Sequence, residues 1–345
     1  MPPSIRCYDI FCGGGGSSRG ATLAGAKVVG GLDRWDLAGD TFQLNFPDAD
    51  VIRGKAEDAD PIDIQSRVGQ IDLLLASPEC TSHSVAKGKA PRCEVSRATA
   101  FQVIRYAQVF EPRWIVIENV TRMRTWPRFG EWRQAVEGLG YKIHVCVLDS
   151  QDYRTPQARR RLFVLCDRER TPTTPPKARG PKPQVEAVLG RGHPRGKPWA
   201  FKHIRAGVQA DATLQRARRA IEAFGAKTEF IIVYYGSDGA GGYQAIDRPL
   251  RTITTLDRFA YVRPTADGHE MRMLQPPELA AAMGFPSDHL WPDVSRRDRI
   301  KLIGNAVCPQ VMCAVVRHLT RPTHASPAEP SSVARPAHPE LVLSD

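Results

Sequence analysis

Short apolar runs separated by amphipathic stretches set the rhythm of the first half of the chain. Residues 6–11 and 27–32 read as strands, and 50–56 as a weaker one. Ile71-Asp72-Leu73-Leu74-Leu75-Ala76 and Trp114-Ile115-Val116-Ile117 are apolar almost without alternation, the pattern of strands buried on both faces. Residues 142–148 and 161–166 read as two more. Helical spacing fills the gaps. It runs to about Gly25, through Ala38 to Phe42, over 98–110 with Val103, Ala107 and Phe110, and over Phe129, Trp132, Val136 and Leu139 before Gly140. Strands alternating with helices predict an α/β domain around a largely parallel sheet.

The pattern changes near Arg168. Residues 168–198 are rich in Pro, Gly, Arg and Lys, as in a linker or an irregular domain. Leu214, Ala217, Ile221 and Phe224 mark a helix whose other face carries Arg216 and Arg219, a solvated surface or a DNA contact. A strand at 230–235, a glycine-rich loop at 236–242 and a helix at 277–283 ended by Gly284-Phe285-Pro286 follow. Gly304-Asn305-Ala306-Val307 precedes a last helix through Leu319, and the Pro-, Ala- and Ser-rich remainder reads as disordered. The resulting partition is a first domain over 1–166, a compact region over 167–247, a segment returning to the first domain over 248–320, and a tail over 321–345.

Composition narrows the function. The 345 residues, 42% hydrophobic and 25% charged, are those of a soluble globular protein with one large or two unequal domains. No apolar run suggests a membrane span, and Met1-Pro2-Pro3-Ser4-Ile5-Arg6 leads straight into a strand, so no signal peptide is expected. Eight cysteines without paired metal-type spacings point to reduced thiols in a cytoplasm. A formal net charge of +11 points to a polyanionic partner, nucleic acid first.

Candidate chemistry gathers where the predicted strands end. Gly13-Gly14-Gly15-Gly16 lies between a strand and a helix start, where free N–H groups can face a nucleotide-like ligand. Ser18 stands where a dinucleotide fingerprint needs its third glycine, and there is no phosphate-loop Gly-Lys-Ser/Thr. Asp33, ending the second strand, is placed to accept from ribose hydroxyls. Cys80 follows the 71–76 strand in Ser77-Pro78-Glu79-Cys80-Thr81-Ser82-His83-Ser84. Such a cysteine is more often an inert buried thiol. Glu118-Asn119-Val120 ends the next buried strand, and adjacent parallel strands would bring Cys80 and Glu118 to one edge as nucleophile and acid. In Gln157-Ala158-Arg159-Arg160-Arg161, at least one arginine is expected to point into the same cleft.

Taken in order, these segments resemble the DNA cytosine-5 methyltransferases. The resemblance runs from Asp9-Ile10-Phe11-Cys12-Gly13-Gly14-Gly15-Gly16 through Pro78-Glu79-Cys80, Glu118-Asn119-Val120 and Gln157-Ala158-Arg159-Arg160-Arg161. It continues through Arg248-Pro249-Leu250-Arg251-Thr252 and Gly284-Phe285-Pro286 to Gly304-Asn305-Ala306-Val307, nearly the whole chain to about residue 320. It implies an α/β, Rossmann-like S-adenosyl-L-methionine-dependent domain with a small, mostly irregular or β target-recognition domain, and duplex DNA between them. It also implies that Cys80 attacks C6 of a flipped-out cytosine, Glu118 donates to N3, and Arg161 with Arg159 holds O2. Glu79, Asn119 and Gln157 would face the substrate. Phe11, Gly13, Gly15, Gly16, Asp33 and Asn305 would line the cofactor site. A monomer in the cytoplasm, associated with the nucleoid, is expected, with a cognate restriction endonuclease as a candidate partner.

Three other readings stand beside this one: an RNA cytosine-5 methyltransferase on the same fold, a catalytically silent DNA-binding regulator, and a nicotinamide dehydrogenase suggested by the glycine loop alone. The chain also departs from the family pattern. Glu79 and Thr81 flank Cys80 where the family has proline and glutamine. Lys55 stands where it commonly has an acid for the adenine amino group, leaving Glu57 or Asp58 as substitutes. A carboxylate beside the thiol raises its pKa unless paired. Glu79→Pro is therefore expected to change the methylation rate or the cofactor affinity; both unchanged would dismiss a role for Glu79 in the site wall.

Overall fold

A computed structural model describes residues 4–78, 99–190, 199–235 and 239–322. Its larger sheet has seven strands in the order β3-β2-β1-β4-β5-β7-β6. They are β1 (Arg6–Ile10), β2 (Lys27–Asp33), β3 (Asp50–Arg53), β4 (Leu73–Ala76), β5 (Trp114–Asn119), β6 (Lys142–Asp149) and β7 (Arg160–Asp167). Strands β1 to β5 pair in parallel, and β7 runs antiparallel between β5 and β6. The expected parallel α/β sheet is present, with one strand reversed.

Strand alternation divides the core into two layers. Cys7, Leu73, Leu75, Val116, Phe163 and Leu165 face helices α1 (Gly16–Leu23) and α9 (Pro309–Leu319). Tyr8, Ile10, Leu74, Ile115, Ile117 and Val164 face α3 (Pro61–Val68) and α4 (Gln102–Phe110). Helix α4 buries Val103, Tyr106, Ala107 and Phe110, a single stripe at helical spacing. Helices α2 (Asp36–Asn45) and α5 (Phe129–Gly138) also belong to this domain, and Gly140 follows α5 with φ +87°.

The smaller sheet is antiparallel, in the order β10-β9-β11-β12-β8. Its strands are β8 (Lys202–His203), β9 (Phe230–Val233), β10 (Tyr243–Ala245), β11 (Phe259–Thr265) and β12 (Gly268–Met273). Helix α6 (Asp211–Phe224) covers one face, with Ala217 and Ala220 against Phe230, Ile232, Ala260 and Val262. From the other face Ile231, Val233 and Phe259 join the core of the large domain. The boundary expected at residue 247 thus falls inside this sheet. After β10 the chain touches the large domain at Leu250, which bridges to Gln157, and then re-enters the small sheet for β11 and β12. The segment that stays with the large domain starts with α7 (Pro276–Ala282).

The chain closes on the large sheet through α8 (Arg296–Asn305) and α9. By length and hydropathy alone Arg296–Leu319 passes as a membrane span, contrary to the sequence expectation. The stretch is broken between the two helices, and its apolar window is 72% buried in the fold, which is how core helices behave. Helix α9 lies against α1 at backbone distance. A Cβ added to Gly20 would sit 2.5 Å from the Pro309 carbonyl oxygen and 2.6 Å from Met312 Cβ. Gly20→Ala is expected to lower stability by about 1–3 kcal/mol, because two backbones must move apart; an unchanged urea midpoint would refute the close approach.

Candidate active site

The site is built on the edge where β1, β2, β4 and β5 end, the usual ligand edge of an open α/β sheet. The parallel register sets Ala76 beside Ile117, so the residues leaving β4 run beside the end of β5. Asn119 Nδ2 donates to the Pro78 carbonyl at 3.1 Å and fastens that exit. Glu79 and Cys80 come next and lie outside the described residues.

Glu118, the penultimate residue of β5, lies on the α1/α9 face of the sheet, while Asn119, the last, takes the opposite face. Strand β7, antiparallel to β5, brings Arg161 to Glu118 with Nε 3.2 Å from Oε1. Glu118 is buried, and desolvation pushes its carboxyl above the ordinary range, opposed by the positive charges of Arg161 and Arg159. A buried carboxyl held towards its protonated form can give a proton. Glu118, Arg159, Arg161, Ser150 and Cys308 meet around a small pocket walled by Leu148, Phe163, Val307 and Val311.

Gln157 and Arg159 share the face of Arg161 but have other work. Gln157 is fully buried; its Oε1 accepts from Ile253 N at 3.1 Å and its Nε2 contacts Met283 Sδ at 2.8 Å. Arg159 Nη1 donates to Ile253 O at 2.9 Å, and Nη2 donates to Gly304 O at 3.0 Å and Ala306 O at 3.2 Å. Sequence reasoning aimed both side chains at a substrate. The fold also ties both to backbone, because the segments at 250–254 and 304–306 lie over that part of the face. Asn119 is likewise used locally, accepting from Val120 N at 2.8 Å as well as donating to Pro78. Arg160 points to solvent.

At the β1 end, Phe11 (φ +60°), Gly13 (φ +53°) and Gly15 (φ +82°) make a tight left-handed turn into α1. Asp33 fastens it: Oδ2 accepts from Gly13 N at 2.8 Å and Oδ1 from Trp35 N at 2.9 Å. A Cβ on Gly13 would meet nothing within 4 Å, so the loop is open there. Its other side is packed, since Gly15 faces Phe46, Phe42 and His289, and Gly14 faces Trp291. Gly16 lies on the Val307 backbone. Phe11 is half-buried, and the half-buried Trp35 lies under the Lys301 ammonium at 4.2 Å. Two aromatic rings, a carboxylate and an open glycine backbone suit an adenosine-bearing cofactor. Asn305 is exposed at the end of α8, between the two carbonyls held by Arg159. Lys55, Glu57 and Asp58 are all exposed on the turn after β3.

Trp35, Ser150, His289 and Cys308 were not singled out from sequence. Trp35 stands two residues after Asp33, which was a usable signal; the other three carried none. His289 is packed between Phe285 (4.5 Å) and Trp291 (4.8 Å), and burial, then the charge of Arg19, lower its pKa to about 4.

With this geometry in view, the comparisons agree on one family. The chain matches the profile of the C-5 cytosine-specific DNA methylases over residues 5–321 and belongs to that family. It is 27% identical over 168 residues to the type II methyltransferase M.DdeI of Desulfomicrobium norvegicum, covering 47% of this chain and 40% of that one. The alignment thus takes in less than half of this curated relative. The fold is similar to a DNA modification methyltransferase encoded within an E. coli prophage (TM-score 0.66, 18% identity, 92% of this chain and 98% of that chain). It is similar as well to a mutant DNMT2 of Spodoptera frugiperda (TM-score 0.66, 14% identity, 92% and 100% coverage).

Beneath the loop, Asp9 is fully buried and accepts from Ser18 Oγ at 2.7 Å, and burial raises its pKa to about 7. The unfolded chain releases this proton near pH 4 and the folded chain near 7. Between these values only the folded chain keeps it, so the Asp9 contribution makes stability fall as pH rises. His289, lowered, acts in the opposite sense below its ordinary pKa, so the difference between variant and wild type isolates Asp9. Asp9→Asn is expected to gain roughly 1–4 kcal/mol relative to wild type between pH 4 and 7. A gap in urea midpoints that stays constant over that range would overturn the assignment.

Proposed function

We propose that this chain transfers a methyl group from S-adenosyl-L-methionine to C5 of a cytosine flipped out of duplex DNA. The observation that carries the reading is the buried Glu118 paired with the half-buried Arg161 beside the β4 exit that leads to Cys80. Family membership and the basic charge of +11 support it.

Cytosine C5 is a weak nucleophile, and the named residues answer that in order. The Cys80 thiolate forms a bond to C6, and the C5–C6 π pair shifts into the ring. Glu118 gives its proton to N3, so the ring gains no net charge. Arg161 faces O2 and stabilises the negative charge that develops there. C5 is then an enamine carbon. When bound, S-adenosyl-L-methionine supplies the methyl group that C5 takes. A base removes the C5 proton, the pair re-forms the C5–C6 double bond, the Cys80 thiolate leaves, and N3 returns its proton to Glu118. Phe11 and Trp35 would flank the adenine, Asp33 would meet the ribose, and Asn305 the amino-acid end. Extruding the base costs a few kcal/mol, which contacts across the cleft must offset. The chain would act as a monomer, with the small domain reading the DNA and a cognate restriction endonuclease as its counterpart.

Bisulfite sequencing of plasmid DNA and of total RNA from expressing cells tests this. Protected cytosines are expected in one recurring DNA sequence and absent with Cys80→Ser. Glu118→Gln is expected to slow single-turnover methyl transfer by about 10²–10⁴-fold while duplex binding persists. Protection confined to RNA, or unaffected by Cys80→Ser, would displace the proposal.

A further inference from the structure

Arg159 joins parts of the chain that serve different ligands. Resting on the function proposed above, we infer that Arg159 is a positioning residue through which cofactor binding and DNA binding strengthen each other. Its guanidinium is buried, and its three carbonyl partners come from two distant segments. Ile253 lies in the stretch between β10 and β11, both strands of the small domain. Gly304 and Ala306 lie on either side of Asn305, the candidate contact for the amino-acid end of the cofactor.

The two segments also touch directly. A Cβ on Gly304 would collide with the backbone of Thr254, so this crossing has no room for slack. The stretch, which links two strands of the small domain, is held to the large-domain residues preceding β7 by Ala158 N to Leu250 O (2.7 Å), Leu250 N to Pro156 O (2.9 Å) and Thr252 Oγ1 to Ala158 O (2.8 Å). A planar guanidinium holds its donors in fixed relative directions. If the 304–306 turn shifts, Nη2 follows, and Nη1 shifts against Ile253. Cofactor ordering the turn and DNA seating the small domain therefore favour the same placement of one side chain. Each ligand should tighten the other by an equal factor. Arg161, two residues on, contacts Glu118, so this placement is transmitted to the catalytic pair.

Isothermal titration of S-adenosyl-L-homocysteine tests the inference, with and without a duplex bearing the sequence found by bisulfite mapping. In the wild type the duplex is expected to tighten the homocysteine about 5–150-fold. Arg159→Lys keeps the charge but cannot span three carbonyls, and is expected to bring that factor close to one. Thr252→Val removes a bond that ties this stretch to the large domain while leaving Arg159 in place, and is expected to reduce the factor partly; it carries the test if Arg159→Lys does not fold. A residue that merely stabilised the fold would weaken both ligands and leave the factor unchanged. A wild type that binds the homocysteine with no regard to the duplex, or a factor intact in both variants, overturns the inference alone. A wild type that binds no homocysteine overturns the reading of the site and the inference with it.

Discussion

The close approach of α9 to α1 is the contact on which the rest of the site depends. With only hydrogen on the α-carbons of Gly16 and Gly20, the Val307 and Pro309 backbones lie directly on the first helix. That contact brings residues 304–308 from the end of the chain to the glycine turn at its beginning. Had either glycine a side chain, the return segment would stand off, Arg159 would lose two carbonyls, and the pocket beside Glu118 would lose the wall formed by Val307 and Cys308. A packing constraint of about one methyl group thus holds residues 304–308 against the glycine turn.

Charge around the site is managed in more than one way. Arg159 is held by carbonyl dipoles, Arg161 by an opposite charge. Asp9 and His289 are driven by burial towards their neutral forms. Glu118 lies between these regimes: desolvation favours its protonated form and two guanidinium groups favour its carboxylate. Such a group can part with a proton and recover it within one cycle, as an acid acting on a ring nitrogen must.

The departures from the family pattern fall after the ends of β3 and β4 rather than within the strands. Glu79 adjoins Cys80 in sequence, and Lys55 lies on the turn after β3, exposed, where an acceptor for the adenine was expected. The strands and helices beneath them follow the family. Changes there alter what the site receives without altering how the chain folds.

Local patterns alone disclosed the alternation of strands and helices, the glycine turn, Asp33 at the end of β2, and the juxtaposition of β4 with β5 that puts Glu118 beside the exit to Cys80. Each depends on residue type or on spacing, and both are written in the chain. Tertiary structure decided the rest. The Phe259–Thr265 and Gly268–Met273 strands belong to the small sheet, because the chain visits the large domain at Leu250 and leaves again. His289 and Trp291 come to rest on the glycine turn from more than 270 residues away. Gln157 and Arg159 are tied to backbone groups of distant segments. Their partners are mostly peptide groups at Ile253, Gly304 and Ala306. Every residue carries a carbonyl, so nothing in the sequence distinguishes the ones that packing brings within reach.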